Sequence, residues 1–154
     1  MSETAVESPS LSASSLSVSI VVYFPDPTWL GMTLSSLVLA MSHARHAGLL
    51  RRAKICIVDN QSTTAFSSFA LTLVTACAEA DWIDRLTIAG HGNIGYGRAN
   101  NIAFERCTDT DFHLVLNPDV QLSEFAIANA LRYLQKHPEC SMVSPVATAP
   151  DGQP

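Results

Sequence analysis

The sequence predicts an α/β fold in which a mostly parallel β-sheet is flanked by helices. Short runs of Val, Ile and Leu alternate with segments of helical periodicity from Val18 onward, which is the pattern of successive βα units. The runs are almost continuously apolar, as expected of strands that are buried on both faces. The chain has 154 residues, of which 47% are hydrophobic and 15% are charged, so we expect one globular domain.

Five strands are predicted, with helices between them. The strands are Val18–Tyr23, Lys54–Asp59, Arg85–Ala89, Phe112–Asn117 and Ser141–Pro145. The first helix begins with Asp26 as its N-cap and Pro27 in its first turn, followed by apolar residues at helical spacing up to Met41. These features predict a helix that packs against the sheet.

Three further helices follow from similar patterns. Thr64 is the predicted cap of the second helix. Its expected inward-facing residues are Phe66, Phe69, Leu73 and Cys77. The third helix is predicted from about Arg98 to Cys107. The fourth carries apolar residues at Ile127, Leu131 and Leu134, and Pro138 ends it.

Residues 1–17 are rich in serine and are predicted to be a disordered tail, which leaves residues 18–154 as the folded domain. No Lys or Arg precedes Arg45, so the basic segment of a signal peptide is missing. The apolar stretch from Leu30 to Met41 is interrupted by Thr and Ser and is shorter than the roughly 20 residues of a bilayer span. We therefore expect no integral membrane anchor.

Charge and cysteine content narrow the possible partners and the compartment. The formal net charge is −5 and the isoelectric point is near 5.4, which argues against a nucleic-acid partner, because such proteins normally carry a basic patch. The four cysteines have no CxxC spacing, and Cys56 lies in an apolar run. We expect buried free thiols, hence a reducing and cytoplasmic location, with a peripheral position at the inner membrane face as a variant.

Two motifs suggest a site for a nucleoside diphosphate. The glycine-rich segment HGNIGYGRANN, residues 91–101, runs into a helix, and such loops let backbone N–H groups approach a diphosphate. The segment LVLNPDV, residues 114–120, places Asp119 at a strand end. One carboxylate together with phosphate oxygens is a common way to hold Mg²⁺ or Mn²⁺.

Several polar and aromatic residues follow directly after predicted strands. They are Tyr23 and Phe24, Asp59 to Ser62, Gly92 to Arg98, and Asn117 to Asp119. Because parallel strands end at one edge of the sheet, where α/β folds bind ligands, we expect these residues to converge. Each also has a structural interpretation. The polar residues suit ordinary turns, Tyr23 suits a core position, and Arg98 suits a solvated helix face.

One motif invites a different interpretation. Residues 90–95 match GxGxxG after a strand, as in dinucleotide-binding dehydrogenases. We disfavour this function because the acidic residues that follow, Asp109 and Asp111, precede the fourth strand and so lie at the opposite edge. We also expect Gly97 and Arg98 to delay the start of the helix.

Five blocks of the sequence resemble family 2 glycosyltransferases, and most of all their bacterial rhamnosyltransferase branch. The blocks are VSIVVYFPD, ICIVDNQST, GNIGYGRANN, HLVLNPDV and a final VSP followed by PDG. The resemblance runs from about Val18 to Gly152. It implies a GT-A fold, which is Rossmann-like, and transfer of a sugar, often rhamnose from dTDP-rhamnose, to a cell-surface polysaccharide or lipid-linked acceptor.

The resemblance also implies roles for individual residues. Tyr23 would lie against the nucleoside, Asp59 would accept a hydrogen bond from the pyrimidine N3–H, and Arg98 would border the ribose and diphosphate of a dTDP- or UDP-sugar. Asp119 would bind Mg²⁺ or Mn²⁺. The predicted nucleotide-sugar-binding residues are Tyr23, Phe24, Asp59, Asn60, Gly95, Gly97, Arg98 and Asn117. The family's acidic DxD motif is Asn117-Pro118-Asp119 here, so we expect weaker metal binding.

The sequence reveals no general base, which an inverting transfer would need. Asp26 and Asp151 are the only unassigned carboxylates expected at the site edge, and neither belongs to a base motif. Because relatives continue further, we expect a truncated GT-A domain that lacks the acceptor half. The alternative is a catalytically incomplete nucleotide-diphosphate-binding fragment or interaction module. In either case we expect self-association through an exposed sheet edge.

Overall fold

The computed structural model describes residues 12–61, 72, 75–77 and 80–146. In this part of the chain, four strands form one parallel sheet in the order β3-β2-β1-β4. The elements are β1 (Ser14–Val22), α1 (Pro27–His46), β2 (Leu50–Asp59), β3 (Ile83–Ile88), α2 (Tyr96–Glu105), β4 (Phe112–Leu116) and α3 (Ala126–Lys136). The predicted α/β class, with a parallel sheet flanked by helices, is confirmed.

Strand β1 begins earlier than the sequence predicted. It starts at Ser14, so four residues assigned to the disordered tail belong to the central strand, and all nine of its residues are buried. The prediction failed because serines look like tail residues, whereas here their hydroxyls are bonded. The Ser14 hydroxyl accepts a hydrogen bond from Gln135 Nε2 at 2.8 Å, and the Ser15 hydroxyl donates to Asp111 at 2.7 Å.

The two faces of β1 differ in chemistry. Leu16, Val18, Ile20 and Val22 belong to the larger apolar core, which is completed by residues of α1 and α3. The opposite face carries Ser15, Ser17, Ser19 and Val21. Of these, Val21 packs in a smaller core with Cys56, Val58 and residues of α2. The helix that follows the glycine-rich loop therefore lies on the side of the sheet that carries the serines.

The predicted start of α1 is confirmed. Asp26 Oδ1 accepts hydrogen bonds from the N–H groups of Thr28 at 2.7 Å and Trp29 at 3.3 Å, and Pro27 is the first helical residue. Such a cap satisfies donors that have no partner inside the helix. The predicted cap and apolar face of the second helix lie outside the described residues, apart from Cys77, which is buried.

The predicted fifth strand, Ser141–Pro145, is wrong. Residues 141–146 form no strand, and the side chains of Met142 and Val146 are 84% and 78% exposed. An extended segment without a neighbouring strand gains neither ladder hydrogen bonds nor apolar burial. Within the described part of the chain, residues 141–146 pair with no strand of the sheet. A β-like composition alone was therefore insufficient.

The prediction of free, buried thiols is confirmed for Cys56, Cys77 and Cys107, while Cys140 is only partly buried. Burial raises the pKa of the Cys56 thiol to about 12. The thiol therefore stays protonated at neutral pH and packs as an apolar group. Among the helices described, none has the length and apolar character needed to cross a membrane.

At the amino ends of the strands, ion pairs join β2 to the segment before β4. Asp111 pairs with Arg51 at 3.0 Å and accepts the backbone N–H of Ser15 at 2.7 Å. Asp109 pairs with Arg52 at 2.9 Å and with Lys54 at 3.2 Å. Hydrogen bonds from Ser15 hold the pKa of the Asp111 carboxyl below its usual value of 3.8. The ionised form is thus stabilised by folding.

We expect Asp111→Asn to lower the free energy of unfolding at pH 7 by about 1 kcal/mol, because the buried Ser15 groups lose a charged acceptor. Since the folded-state pKa is depressed, this contribution is present above pH 3.8 and is lost as the pH falls through the lower folded value. Urea unfolding at pH 7 and pH 3 checks this. Asp84→Asn, at an exposed position of β3, is the control. Equal stability of the two variants at pH 7 would contradict the prediction.

Strand β4 is an edge of the described sheet, and Val115 on it is 50% exposed. We expect the chain to self-associate through this edge, and Val115→Lys to weaken the association, because a charged side chain hinders pairing between edges. Light scattering over a range of protein concentrations measures the effect. Thr108→Lys adds the same charge in the loop before β4. A wild-type chain that stays monomeric, or equal effects of the two variants, would contradict the assignment.

Candidate functional site

The loops after all four strands meet at the carboxyl edge of the sheet, as predicted, and hydrogen bonds join each to the next. The Phe24 N–H donates to Gln61 Oε1 at 3.3 Å. Asn60 Nδ2 donates to Asn93 Oδ1 at 3.1 Å. The Tyr96 hydroxyl then donates to Asn117 Oδ1 at 2.8 Å. These bonds fix the segments after β1, β2, β3 and β4 relative to one another.

A further bond returns this series to the first helix. The Thr33 hydroxyl of α1 donates to the carbonyl oxygen of Pro118 at 2.8 Å, and the Thr33 side chain is fully buried. The Asn-Pro-Asp turn is therefore held from two sides, by Tyr96 and by Thr33. Because the turn is anchored at its first two residues, its third residue, Asp119, is presented from a fixed backbone.

Tyr23 and Phe24 form an exposed aromatic pair at the end of β1. Their side chains are 53% and 68% exposed, and the ring centroids are 4.7 Å apart in an edge-to-face arrangement. Phe24 has a φ of 47°, in the left-handed region that non-glycine residues seldom adopt. Such backbone strain clusters at ligand-binding sites. Because the Tyr23 side chain is about half exposed, Tyr23 does not occupy the core position that was the alternative interpretation.

Asp59 and Asn60 are buried where β2 ends, with exposures of 3% and 4%. Asp59 Oδ1 accepts the Gln61 N–H at 3.0 Å, which forms a turn at the strand end. Asn60 Oδ1 accepts the Ile94 N–H at 3.1 Å, in addition to the bond that its amide donates to Asn93. Asn60 therefore holds the glycine-rich loop in place with both ends of its side chain.

The glycine-rich loop leads directly into α2. Gly95 is the N-cap with φ 88° and ψ 153°, a conformation that side chains disfavour, and it makes no side-chain cap bond. Helix α2 begins at Tyr96, so the expectation that Gly97 and Arg98 delay the helix is wrong. The other argument against a dehydrogenase is confirmed, because Asp109 and Asp111 pair with cations at the opposite edge.

The start of α2 is suited to an anion. The N–H groups of Ile94 and Gly95 are occupied by Asn60 and Asn93, but those of Tyr96, Gly97 and Arg98 have no hydrogen-bond partner among the described residues. No acidic residue lies in the first turn. The exposed Arg98 side chain makes no ion pair with the described part of the chain. Free N–H groups, the helix dipole and a guanidinium together favour a phosphate group.

The Asn-Pro-Asp turn offers one carboxylate to a metal ion. Asp119 is exposed, whereas the oxygen of Asn117 already accepts the Tyr96 hydroxyl. No group of three His, Cys, Asp or Glu side chains that could hold a metal lies within the described residues. This donor set fits Mg²⁺ or Mn²⁺ only as an ion that takes its other ligands from water and phosphate oxygens, which is the usual behaviour of Mg²⁺.

Sequence reasoning placed Gln61, Asn93 and Tyr96 at the carboxyl edge of the sheet without a role and missed Thr33 altogether. These residues supply the bonds that join the loops of the site. Asn93 and Tyr96 lie inside the glycine-rich motif, so their position was a usable signal. Thr33 looked like an interruption of an apolar helix, and no sequence pattern connects it to Pro118.

Comparison with known proteins supports the fold. No protein-family model matches the chain, and no curated protein matches it either. Among solved structures, the chain is similar to the crystal structure of S. aureus TarS 1–349, with a TM-score of 0.57 and 18% sequence identity. The match covers 80% of this chain and 33% of the TarS chain, so the chain spans about a third of that structure's length. The shared feature is the α/β fold, which agrees with a part of a Rossmann-like GT-A domain.

Proposed function

We propose that the chain binds the nucleoside diphosphate of a sugar donor as part of a family 2 glycosyltransferase. The observation that carries the proposal is the first turn of α2, where the N–H groups of Tyr96, Gly97 and Arg98 have no partner among the described residues and the Arg98 side chain is exposed. This anion site lies at the same sheet edge as the exposed aromatic pair after β1. A phosphate site at the same edge as aromatic rings suits a nucleotide better than a simple anion.

Two further findings support a glycosyltransferase. Four of the five sequence blocks that resemble family 2 enzymes contribute residues to the carboxyl edge. The likeness to TarS supports a glycosyltransferase-like role, since the chain shares that fold over most of its length. A dehydrogenase is disfavoured because Asp109 and Asp111, the acidic residues that follow the glycine-rich loop at the expected distance, lie at the opposite edge of the sheet.

We assign the donor-site roles as follows. Tyr23 and Phe24 contact the nucleoside, and Asp59 accepts the pyrimidine N3–H. Arg98 and the N–H groups of Gly97 and its neighbours bind the diphosphate, beside the Gly95 cap. Asn60 supports the loop that carries them. In Asn117 the bonded oxygen leaves the amide nitrogen available as a donor toward phosphate.

Asp119 is the residue that would hold Mg²⁺ or Mn²⁺, and the ion would neutralise charge that develops on the leaving diphosphate. The chain's own contribution is independent of the ion. The N–H groups of the first turn of α2, which the helix holds in place, and the Arg98 guanidinium orient the diphosphate and stabilise its negative charge. The rate of sugar transfer depends on this preorganisation, because donors that need no rearrangement act most strongly in the transition state.

The finer assignments are part of the same proposal. We propose rhamnose from dTDP-rhamnose as the donor sugar and a cell-surface polysaccharide or lipid-linked saccharide as the acceptor. Inverting transfer requires a general base that takes a proton from the acceptor hydroxyl. We place that base outside the donor site described above. We also propose that the enzyme acts in the cytoplasm, because its four cysteines are free thiols and the cytoplasm keeps thiols reduced.

Calorimetric titration with UDP and dTDP, in Mn²⁺ and in chelator, tests the proposal. We expect binding that is stronger in Mn²⁺, and we expect Asp119→Ala to lower the affinity in Mn²⁺ about tenfold while leaving the affinity in chelator unchanged. Glu124→Ala, an exposed acid in the next loop, is the control. Failure of the wild-type chain to bind either nucleotide would overturn the function. Metal dependence that survives Asp119→Ala would overturn the ligand assignment alone.

A second prediction concerns the strained aromatic residue. We expect Phe24→Gly to raise the free energy of unfolding by about 1 kcal/mol, because glycine adopts a φ of 47° without strain and the lost ring is largely exposed. The same change should weaken nucleotide binding. Phe24→Ala removes the ring but keeps the strain, so it should weaken binding equally without the gain in stability. Thermal unfolding and titration separate the effects, and equal stability of the two variants would contradict the strain.

A further inference from the structure

The start of α2 lacks the features that normally stabilise a helix N-terminus. Its N-cap is Gly95, which offers no side-chain acceptor, and its first turn contains Arg98 but no acidic residue. A cation in that position opposes the helix dipole, and a glycine N-cap leaves the first N–H groups of the helix without a side-chain acceptor. Some other contact must hold this turn in its binding geometry before a ligand arrives.

Asn100 supplies that contact. It is the only polar residue among the buried positions of α2, and its side chain is 8% exposed. Asn100 Nδ2 donates to the carbonyl oxygen of Tyr96 at 3.1 Å, which ties the side chain to the first residue of its own helix. At its other end, Asn100 Oδ1 accepts the Ser19 hydroxyl at 2.7 Å. One amide thus joins the first turn of α2 to the central strand.

Ser19 is itself fixed by a second partner. Its side chain is fully buried, and its oxygen lies 3.1 Å from His113 Nε2 on β4. Because the Ser19 proton is donated to Asn100, the oxygen accepts from the imidazole N–H, which selects the Nε2–H tautomer of neutral His113. The other ring nitrogen, Nδ1, lies 2.7 Å from the Ser17 hydroxyl. Ser19, the residue of β1 that holds Asn100, is therefore itself held by β4.

Tyr96, the residue that Asn100 holds, also contacts the Asn-Pro-Asp turn. Tyr96 offers its carbonyl oxygen to Asn100 and its hydroxyl to Asn117, two residues before Asp119. A shift of the first turn of α2 would therefore move the free N–H groups and the Asn-Pro-Asp turn together. This connection gives a buried residue influence over both parts of the diphosphate site.

We propose that Asn100 is a positioning residue for the diphosphate, which aligns the first turn of α2 and, through Tyr96, the Asn117 amide. The proposal rests on the function proposed above. It differs from a purely structural role because Asn100 and Tyr96 bond directly to Ser19 and Asn117, whereas Tyr23 and Phe24 contact each other at the end of β1. Loss of Asn100 should therefore affect the phosphate part of a ligand and spare the nucleoside part.

The test compares affinities for UDP and uridine, and for dTDP and thymidine, measured by calorimetry or by saturation-transfer NMR for the weaker nucleosides. We expect Asn100→Ala and Asn100→Asp to lower the diphosphate affinity about tenfold and to leave the nucleoside affinity unchanged. Asn100→Asp retains an acceptor for Ser19 but loses the donor to Tyr96. Asn101→Ala, an exposed neighbour of the same residue type, is the control.

A second variant, Tyr96→Phe, tests the same connection at a more exposed position. Tyr96→Phe removes only the hydroxyl of a ring that is 48% exposed, so it tests the same path without disturbing the core, and we expect a several-fold loss of diphosphate affinity alone. A parallel loss of nucleoside and diphosphate affinity, or unchanged diphosphate affinity in Asn100→Asp and Tyr96→Phe, would overturn the positioning role. Failure of the wild-type chain to bind any nucleotide would instead overturn the proposed function, and the positioning role with it.

Discussion

The central strand β1 imposes the constraint on which the rest of the structure depends: all nine of its residues are buried, yet four of them are serines. A buried hydroxyl without a partner costs on the order of 1–3 kcal/mol, so each serine requires a nearby polar group. Those partners come from distant elements: Gln135 for Ser14, Asp111 for Ser15, Thr110 and His113 for Ser17, and Asn100 for Ser19. Satisfying one strand therefore fixes the positions of α2, β4 and α3.

This requirement links the two ends of the sheet. At the amino end, Asp111 satisfies Ser15 and pairs with Arg51, which ties β4 to β2 across β1. Toward the carboxyl end, Asn100 satisfies Ser19 and holds the first turn of α2. The same face of one strand thus contributes to stability at one edge and to the geometry of the proposed donor site at the other. Apolar residues at these positions would bury comparable area but would specify neither partner.

Features that depend on residues close together in the sequence could be predicted, whereas features that depend on contacts between distant segments could not. Helical periodicity and the Asp26 cap are local, so the fold class and α1 were predicted, and the rule that parallel strands end at one edge placed Tyr23, Asp59, Arg98 and Asp119 together. Burial of both faces was predicted from Val18 onward, but the serines before Val18 were assigned to the tail, because nothing local in the sequence shows that Asp111 and Gln135 lie against them. Bonds such as that of Tyr96 to Asn117 depend on strand register and side-chain direction, which no spacing in the sequence encodes.

The first turn of α2, which we propose as the phosphate site, shows that different groups serve binding and stability in this fold. A capped helix with an acidic first turn would be more stable, but its N–H groups and positive dipole end would already be neutralised. Here the N–H groups of Ile94 and Gly95 donate to Asn60 and Asn93, and the next three have no acceptor within the described part of the chain. The N–H groups of Ile94 and Gly95 thus fix the loop, while those of Tyr96, Gly97 and Arg98 remain available to a ligand. The cost of the open helix start is offset by the buried bonds of Asn100 on the side that faces the sheet. This division keeps the first turn of α2 ordered while its N–H groups stay available to the phosphate that we propose as its ligand.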